Sequence, residues 1–173
     1  TFQSLVASAK GAPFVYDKLL TLGEILMNKV EITFIFIGNI DGDGHTVFGL
    51  YCTGFGDGSN ASYGALIPYV SSENVNAGYK VSVKNLKLDC AYIASNKNKS
   101  YGSAFIGYTQ NSPSNIIFEN CGAGDEVFVR TDMPSVFFAH GAPNTTFKNC
   151  YSRATVEDVS GAVAGGGFIG HTW

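Results

Sequence analysis

Charge is scarce in this chain. Only 14% of its 173 residues are Asp, Glu, Lys or Arg, against about 25% in ordinary globular domains. The 11 basic residues are outnumbered by 14 acidic ones, for a formal net charge of -3, so there is no basic footprint for nucleic acid or an anionic membrane. Long apolar runs are missing as well. The longest, near residues 32–37, is strand-sized and interrupted by Thr33, well short of the roughly 18 to 20 residues that a membrane span requires. The four cysteines, Cys52, Cys90, Cys121 and Cys150, form no CxxC pair and the three histidines are scattered, which removes the spacing of a zinc site. No metal and no cofactor is expected. The chain also lacks an initial Met and a visible signal peptide, so it is expected to be a fragment whose targeting signals lie elsewhere.

Apolar residues and glycine are what is plentiful. Apolar residues make up 45% and glycines number 21, a composition that is ordered and rich in turns, because disorder needs low hydrophobicity with high charge. One segment organises the chain: residues 102–121, GSAFIGYTQNSPSNIIFENC, return in outline on both sides. Upstream stand Leu66-Ile67-Pro68-Tyr69 and then Val81-x-Val83-x-Asn85-Leu86. Downstream stand Phe137-Phe138-Ala139-His140, then Thr145-x-Phe147-x-Asn149-Cys150, and finally Phe168-Ile169-Gly170-His171, a last copy that does not close. Aligned on the asparagine, the column Gly49, Asn85, Asn120, Asn149 advances by 36, 35 and 29 residues. That irregularity suits β-coils whose loops vary while their strands stay in phase, each coil burying its apolar side chains only against the next. The expected fold is all-β: a right-handed parallel β-helix or β-solenoid over residues 30–173, preceded at residues 1–29 by a cap. Phe2, Leu5, Val6 and Ala9 follow helical spacing and Gly11 with Pro13 ends the run, so a short N-terminal capping helix is expected to cover the open coil. An irregular segment follows, and Val30 to Ile37 reads as a strand.

The columns suggest separate jobs. Phe105 and Phe118 are assigned to the core. Asn85, Asn120 and Asn149 are expected to hold a corner, because a stacked amide bonds both the turn and its neighbours above and below. Cys121 and Cys150 follow two of these asparagines and are expected to stack about 4.8 Å apart, as a buried free-thiol ladder or, alternatively, as a disulfide between coils. Asp41-Gly42-Asp43-Gly44, followed by His45, is a turn by its Asp-Gly pairs; calcium binding and catalysis are the competing readings, and the EF-hand spacing is not met. The carboxylates Asp89, Asp125, Glu126 and Asp132 fall at unequal offsets from the asparagine, which does not support the paired acids of a polysaccharide-cleaving site. A fourth column, Tyr69, Tyr108, His140 and His171, closes each apolar strand. Such rings either stack coil upon coil or offer a ladder on which a glycan or a protein ligand rests. The polar loops at residues 94–100 and 110–115 lie at coil edges, where variable recognition surface concentrates.

Two segments carry a resemblance. Phe36-x-Gly38-x-Ile40-Asp41-Gly42-x-Gly44-His45-Thr46-Val47 resembles the segment found ahead of GLUG-motif repeats in bacterial surface proteins. Phe105-Ile106-Gly107-Tyr108 with Ile116-x-Phe118-x-Asn120-Cys121, and Gly167-Phe168-Ile169-Gly170, are similar to the repeat itself. Pro68 and Ala139 depart from its second glycine and Leu86 from its cysteine. The resemblance implies a β-solenoid of extracellular or cell-surface bacterial proteins, adhesin-like or a non-catalytic region of a larger enzyme. The expected function is therefore a non-catalytic repeat module that acts as stalk, presenter or adhesive. A carbohydrate-binding module and a polysaccharide lyase or hydrolase are the alternatives, with a glycan or a cell-surface protein as partner.

Overall fold

The computed structural model describes residues 39–55, 61–70, 80–109, 115–141, 144–161 and 165–171. The expected capping helix, the strand at residues 30–37 and most of the loop at residues 110–115 lie outside them. Four coils run through the described residues. The first holds β1 (Asn39–Asp41), β2 (Thr46–Phe48), β3 (Tyr51–Thr53), β4 (Ser62–Gly64) and β5 (Ile67–Val70). The second repeats them as β6 (Lys80–Lys84), β7 (Lys87–Asp89), β8 (Ala91–Ala94), β9 (Ser100–Ser103) and β10 (Ile106–Thr109). The third has β11 (Asn115–Glu119), β12 (Gly122–Ala123), β13 (Val127–Thr131), β14 (Met133–Ser135) and β15 (Phe138–Gly141), and the fourth β16 (Asn144–Lys148), β17 (Tyr151–Ser152), β18 (Thr155–Asp158) and β19 (Ile169–His171).

Equivalent strands stack into five sheets, β1-β6-β11-β16, β2-β7-β12-β17, β3-β8-β13-β18, β4-β9-β14 and β5-β10-β15-β19. Each pairing described within them is parallel, as in Ile116 with Val81 and Thr145, or Tyr108 with Tyr69 and His140. This is a β-solenoid: the connection from one strand to its neighbour in the same sheet is a whole turn of the coil. Alternation sets which side chains go inside. In β13 Val127, Val129 and Thr131 are buried while Phe128 and Arg130 are not, the period of two that a pleated strand imposes.

The core is an interlocked zigzag of phenylalanines. Phe105 stacks on Phe137 at 5.0 Å with planes 1° apart, and Phe118 on Phe147 at 5.4 Å and 6°. Between these two columns the contacts are edge-to-face, Phe118 to Phe105 at 5.8 Å and to Phe137 at 5.1 Å. Both arrangements suit the ring quadrupole. Phe105 and Phe118 thus occupy the core positions that their place in the repeat assigns to them, each fully buried.

One column is corrected. Gly49 does not stand below Asn85: its N–H donates to the Cys90 carbonyl, and Gly49 and Cys90 share left-handed φ values of 76° and 50°. They form the next corner along. What lies below Asn85 is the Asp41–Gly44 turn, with Gly42 N–H bonded to Lys84 O and Gly44 N–H to Asn85 O, each at 2.8 Å. Successive partners Asn39, Ser82, Ile117 and Thr146 are accordingly 43, 35 and 29 residues apart. Gly and Asn are both residues that tolerate positive φ, so a glycine fits an asparagine column on paper at either corner.

Candidate functional site

Asn85, Asn120 and Asn149 sit at the corner after β6, β11 and β16, all with φ between 51° and 55°. Their side chains form a chain with one direction. Asn149 Nδ2 donates to Asn120 Oδ1 at 3.1 Å, Asn120 Nδ2 to Asn85 Oδ1 at 2.9 Å, and Asn85 Nδ2 to Asp41 Oδ1 at 3.0 Å. Asp41 also accepts the Asp43 N–H at 3.0 Å. The bond from Asn85, then that from Asp43, then the charge on Lys84 hold the Asp41 carboxyl below its ordinary range. A carboxylate accepts and does not donate. Asn85 must therefore turn its NH2 toward Asp41, which leaves its oxygen for Asn120, and so on along the column.

Beside the amides runs a column of alternating charge, Asp41, Lys84, Glu119 and Lys148, in register. Glu119 meets Lys84 at 3.0 Å and Lys148 at 2.6 Å. The bonds from Lys148 and then Lys84 lower its pKa, and Glu119 in turn raises that of Lys148. Next to these, Cys121 Sγ donates to Val83 O at 3.2 Å and Cys150 Sγ to Phe118 O at 3.5 Å. All four cysteines are free thiols, and burial pushes the Cys121 and Cys52 thiols up to about 11.

The rings at positions 69, 108, 140 and 171 are brought together. Tyr69 and Tyr108 are 5.3 Å apart, Tyr108 and His140 5.4 Å, and His140 and His171 5.2 Å. Sequence reasoning did not anticipate their second row. Tyr63 of β4 stacks on Tyr108 at 4.6 Å, and Tyr101 of β9 lies 4.7 Å from His140, so two sheets close on each other over this column and cover ring faces. Gly107 is the residue that lets them do so, since a Cβ there would lie 2.7 Å from Tyr63 Cβ and from Pro68 O. Burial raises the pKa of Tyr63, Tyr101 and Tyr108. Burial, with the neighbouring His171 second, depresses that of His140 to about 4, keeping the imidazole neutral near pH 7.

A more open aromatic row lies on the outer face of β3, β8 and β13. Tyr51 stacks on Tyr92 at 5.6 Å and 19°, and Tyr92 on Phe128 at 5.4 Å and 12°. Tyr51 and Tyr92 are 53% and 42% exposed. Its sequence signal, rings at outward positions of successive copies, is masked because Tyr92 stands seven residues after Asn85 and Phe128 eight after Asn120, although the two pair in register. Phe48 and Tyr151 on the adjoining sheet are exposed too. The polar loop after β8 adds Asn96, which accepts a hydrogen bond from Arg130, itself paired with Glu157 at 3.0 Å.

The carboxylates have separate local partners. Asp89 accepts the Cys90 N–H at 3.0 Å, Asp132 the Lys99 N–H at 2.6 Å, and Asp125 faces Arg153 at 3.8 Å; no such partner is described for Glu126. A shallow cleft beside β14 and β18 is lined by Pro134, Val156, Asp158, Gly165, Gly166 and Gly167. Compared with protein-family models, curated proteins and solved structures, the chain matches none of them.

Proposed function

We propose that this chain is a non-catalytic repeat module, a right-handed solenoid of the GLUG-motif kind, that presents its outer surface for contact in the extracellular space or at a bacterial cell surface. The observation that carries this reading is where the side-chain chemistry is used. The amide column, the charge column and the buried thiols are all directed from coil to coil, which makes a rigid stack, while the aromatic residues that stay open lie on the outside of two adjoining sheets. Rings with polar tips on an outer face serve binding.

A second reading, carbohydrate binding, is favoured specifically by the Tyr51, Tyr92 and Phe128 row, in which Tyr51 and Tyr92 are more open than Tyr69 and Tyr108. One experiment separates the readings: incubation of the full chain with arrayed glycans and soluble polysaccharides, scored for retention and for products. Intact glycans throughout are expected. Retention that is lost in Tyr92→Ala and kept in Tyr108→Ala would establish binding through the outer row. Release of reducing ends or unsaturated sugars would overturn the non-catalytic reading in favour of a lyase or hydrolase.

A further inference from the structure

Two asparagines on the outside of the solenoid share a pattern. Asn98-Lys99-Ser100 and Asn144-Thr145-Thr146 each place a hydroxyl two residues after the amide, the spacing that transferases building N-linked glycans read. A third triplet of this kind, Asn60-Ala61-Ser62, has its asparagine outside the described residues.

Asn98 stands on an enlarged corner. Ala94 pairs with Arg130 and Tyr101 with Met133, so the second coil takes seven residues over a corner that the third turns in three. The added backbone is held on both sides. Lys99 N–H donates to the Asp132 carboxylate at 2.6 Å, and Ser62 N–H to Lys99 O at 3.0 Å, while Asn98 itself is exposed. Lying between the first and third coils, this position is open whatever adjoins either end of the stack. Asn144 is presented differently. It opens β16, where Asn144, Thr146 and Lys148 are exposed and Thr145 and Phe147 less so, so strand alternation sets the amide and the second hydroxyl of its triplet on one outer face. A glycan leaving either site points away from the coil-to-coil bonds. It also brings hydration to a chain in which only 14% of residues are charged.

We propose that Asn98 and Asn144 are acceptor sites for N-linked glycan, with Asn98 modified before its corner closes. Ser100 fixes that order. It is fully buried and its Oγ donates to Lys97 O at 2.5 Å, so a transferase reaches this hydroxyl only on the unfolded chain. In the transfer, Asn Nδ2 attacks the anomeric carbon of an oligosaccharide carried on a lipid pyrophosphate. The N–C bond forms, the C–O bond to the pyrophosphate breaks, the amide gives up one proton and the lipid pyrophosphate leaves. The inference rests on the extracellular placement proposed above, since such acceptors belong to secreted chains.

The test is peptide mapping by mass spectrometry of the chain recovered from the cells that naturally make it, before and after peptide N-glycosidase in heavy-oxygen water. Labelled aspartate at positions 98 and 144, formed only with the enzyme, is expected. Unmodified asparagine at both positions in secreted or surface-exposed chain would overturn the proposal and leave the extracellular reading standing, whereas recovery of the chain solely from inside the cell would overturn both. Production as a secreted protein in cells that carry the transferase adds a second readout. Asn98→Gln and Asn144→Gln should each remove one glycan-sized step in denaturing gel mobility, Ser100→Ala should remove the same step as Asn98→Gln, and Ser100→Thr should keep it. These gels read occupancy whatever the variant's final fold. Folded, unglycosylated chain given transferase and a lipid-pyrophosphate oligosaccharide should stay unmodified at Asn98 until it is denatured; modification there without denaturation would overturn the order assigned by Ser100.

Discussion

At the scale of single residues, the corners are where identity matters most. Asn120 does two things: it holds φ at 55°, which costs a residue with a Cβ about 1–2 kcal/mol, and it links Asn85 to Asn149. The two contributions separate by substitution. Asn120→Gly should lose only the column bonds, about 1 kcal/mol, whereas Asn120→Ala should lose about 2 to 3 kcal/mol because the strain is added; urea unfolding of the pair checks the order. Cys90 is the converse case. It adopts φ 50° on an exposed corner without an asparagine's local hydrogen bonding. Cys90→Gly should therefore raise stability by about 1 kcal/mol, or about 2–4 °C in a thermal melt.

At the scale of the strand and its column, packing and protonation decide. Phe137 touches Phe105, Phe118, Phe147 and Phe168 and is fully buried, so Phe137→Ala should cost about 3–5 kcal/mol. Phe168→Ala, in the half-open last coil, should cost less than half of that, a contrast that denaturant midpoints will read. The ring column adds a pH dependence. His140 has a folded pKa of about 4 against an ordinary 6.5, so the unfolded chain binds the proton first. Its contribution is complete above pH 6.5, declines as pH falls from there, and is gone below about 4. The groups packed on it are Tyr101, Tyr108 and His171. His140→Tyr, which continues the tyrosines of β5 and β10, should flatten the fall in melting temperature between pH 6.5 and 4. The lowered carboxyls of Asp41 and Glu119 add to the loss once pH falls below their ordinary values of 3.8 and 4.5, since stability from a depressed acid is lost as pH falls through its folded pKa.

At the scale of the whole molecule, the strands described in each coil pack on those of the coils beside it, so stability is close to a sum of neighbour interfaces. Amide exchange should be slowest in β6 to β15 and faster toward β1 to β3 and β16 to β19; uniform protection across all coils would contradict that picture. Much of this architecture is legible in the sequence because strand residues repeat by type: Ile67, Ile106, Phe138 and Ile169 fall in register, as do the three asparagines. What is not legible follows from the same economy of residue types. Positive φ is satisfied by Gly, Asn or Asp alike, so the first coil with its longer Asp-Gly turn slipped by one corner. The closing of Tyr63 and Tyr101 over the Tyr and His column depends on how two sheets meet, which no spacing along the chain encodes. The outer row of Tyr51, Tyr92 and Phe128 is hidden by corner length, since Tyr92 follows Asn85 by seven residues and Phe128 follows Asn120 by eight.

The direction of the amide column also gives the molecule an age. Asparagine side chains hydrolyse slowly to aspartate, and at Asn120 that change replaces a group that donates on one side and accepts on the other with one that only accepts. The new carboxylate would still receive the bond from Asn149 but would face the Asn85 oxygen with no hydrogen between them. Chemical wear at one exposed corner would thus break the column at its midpoint, and the coils beyond it would be the first to loosen in an old sample.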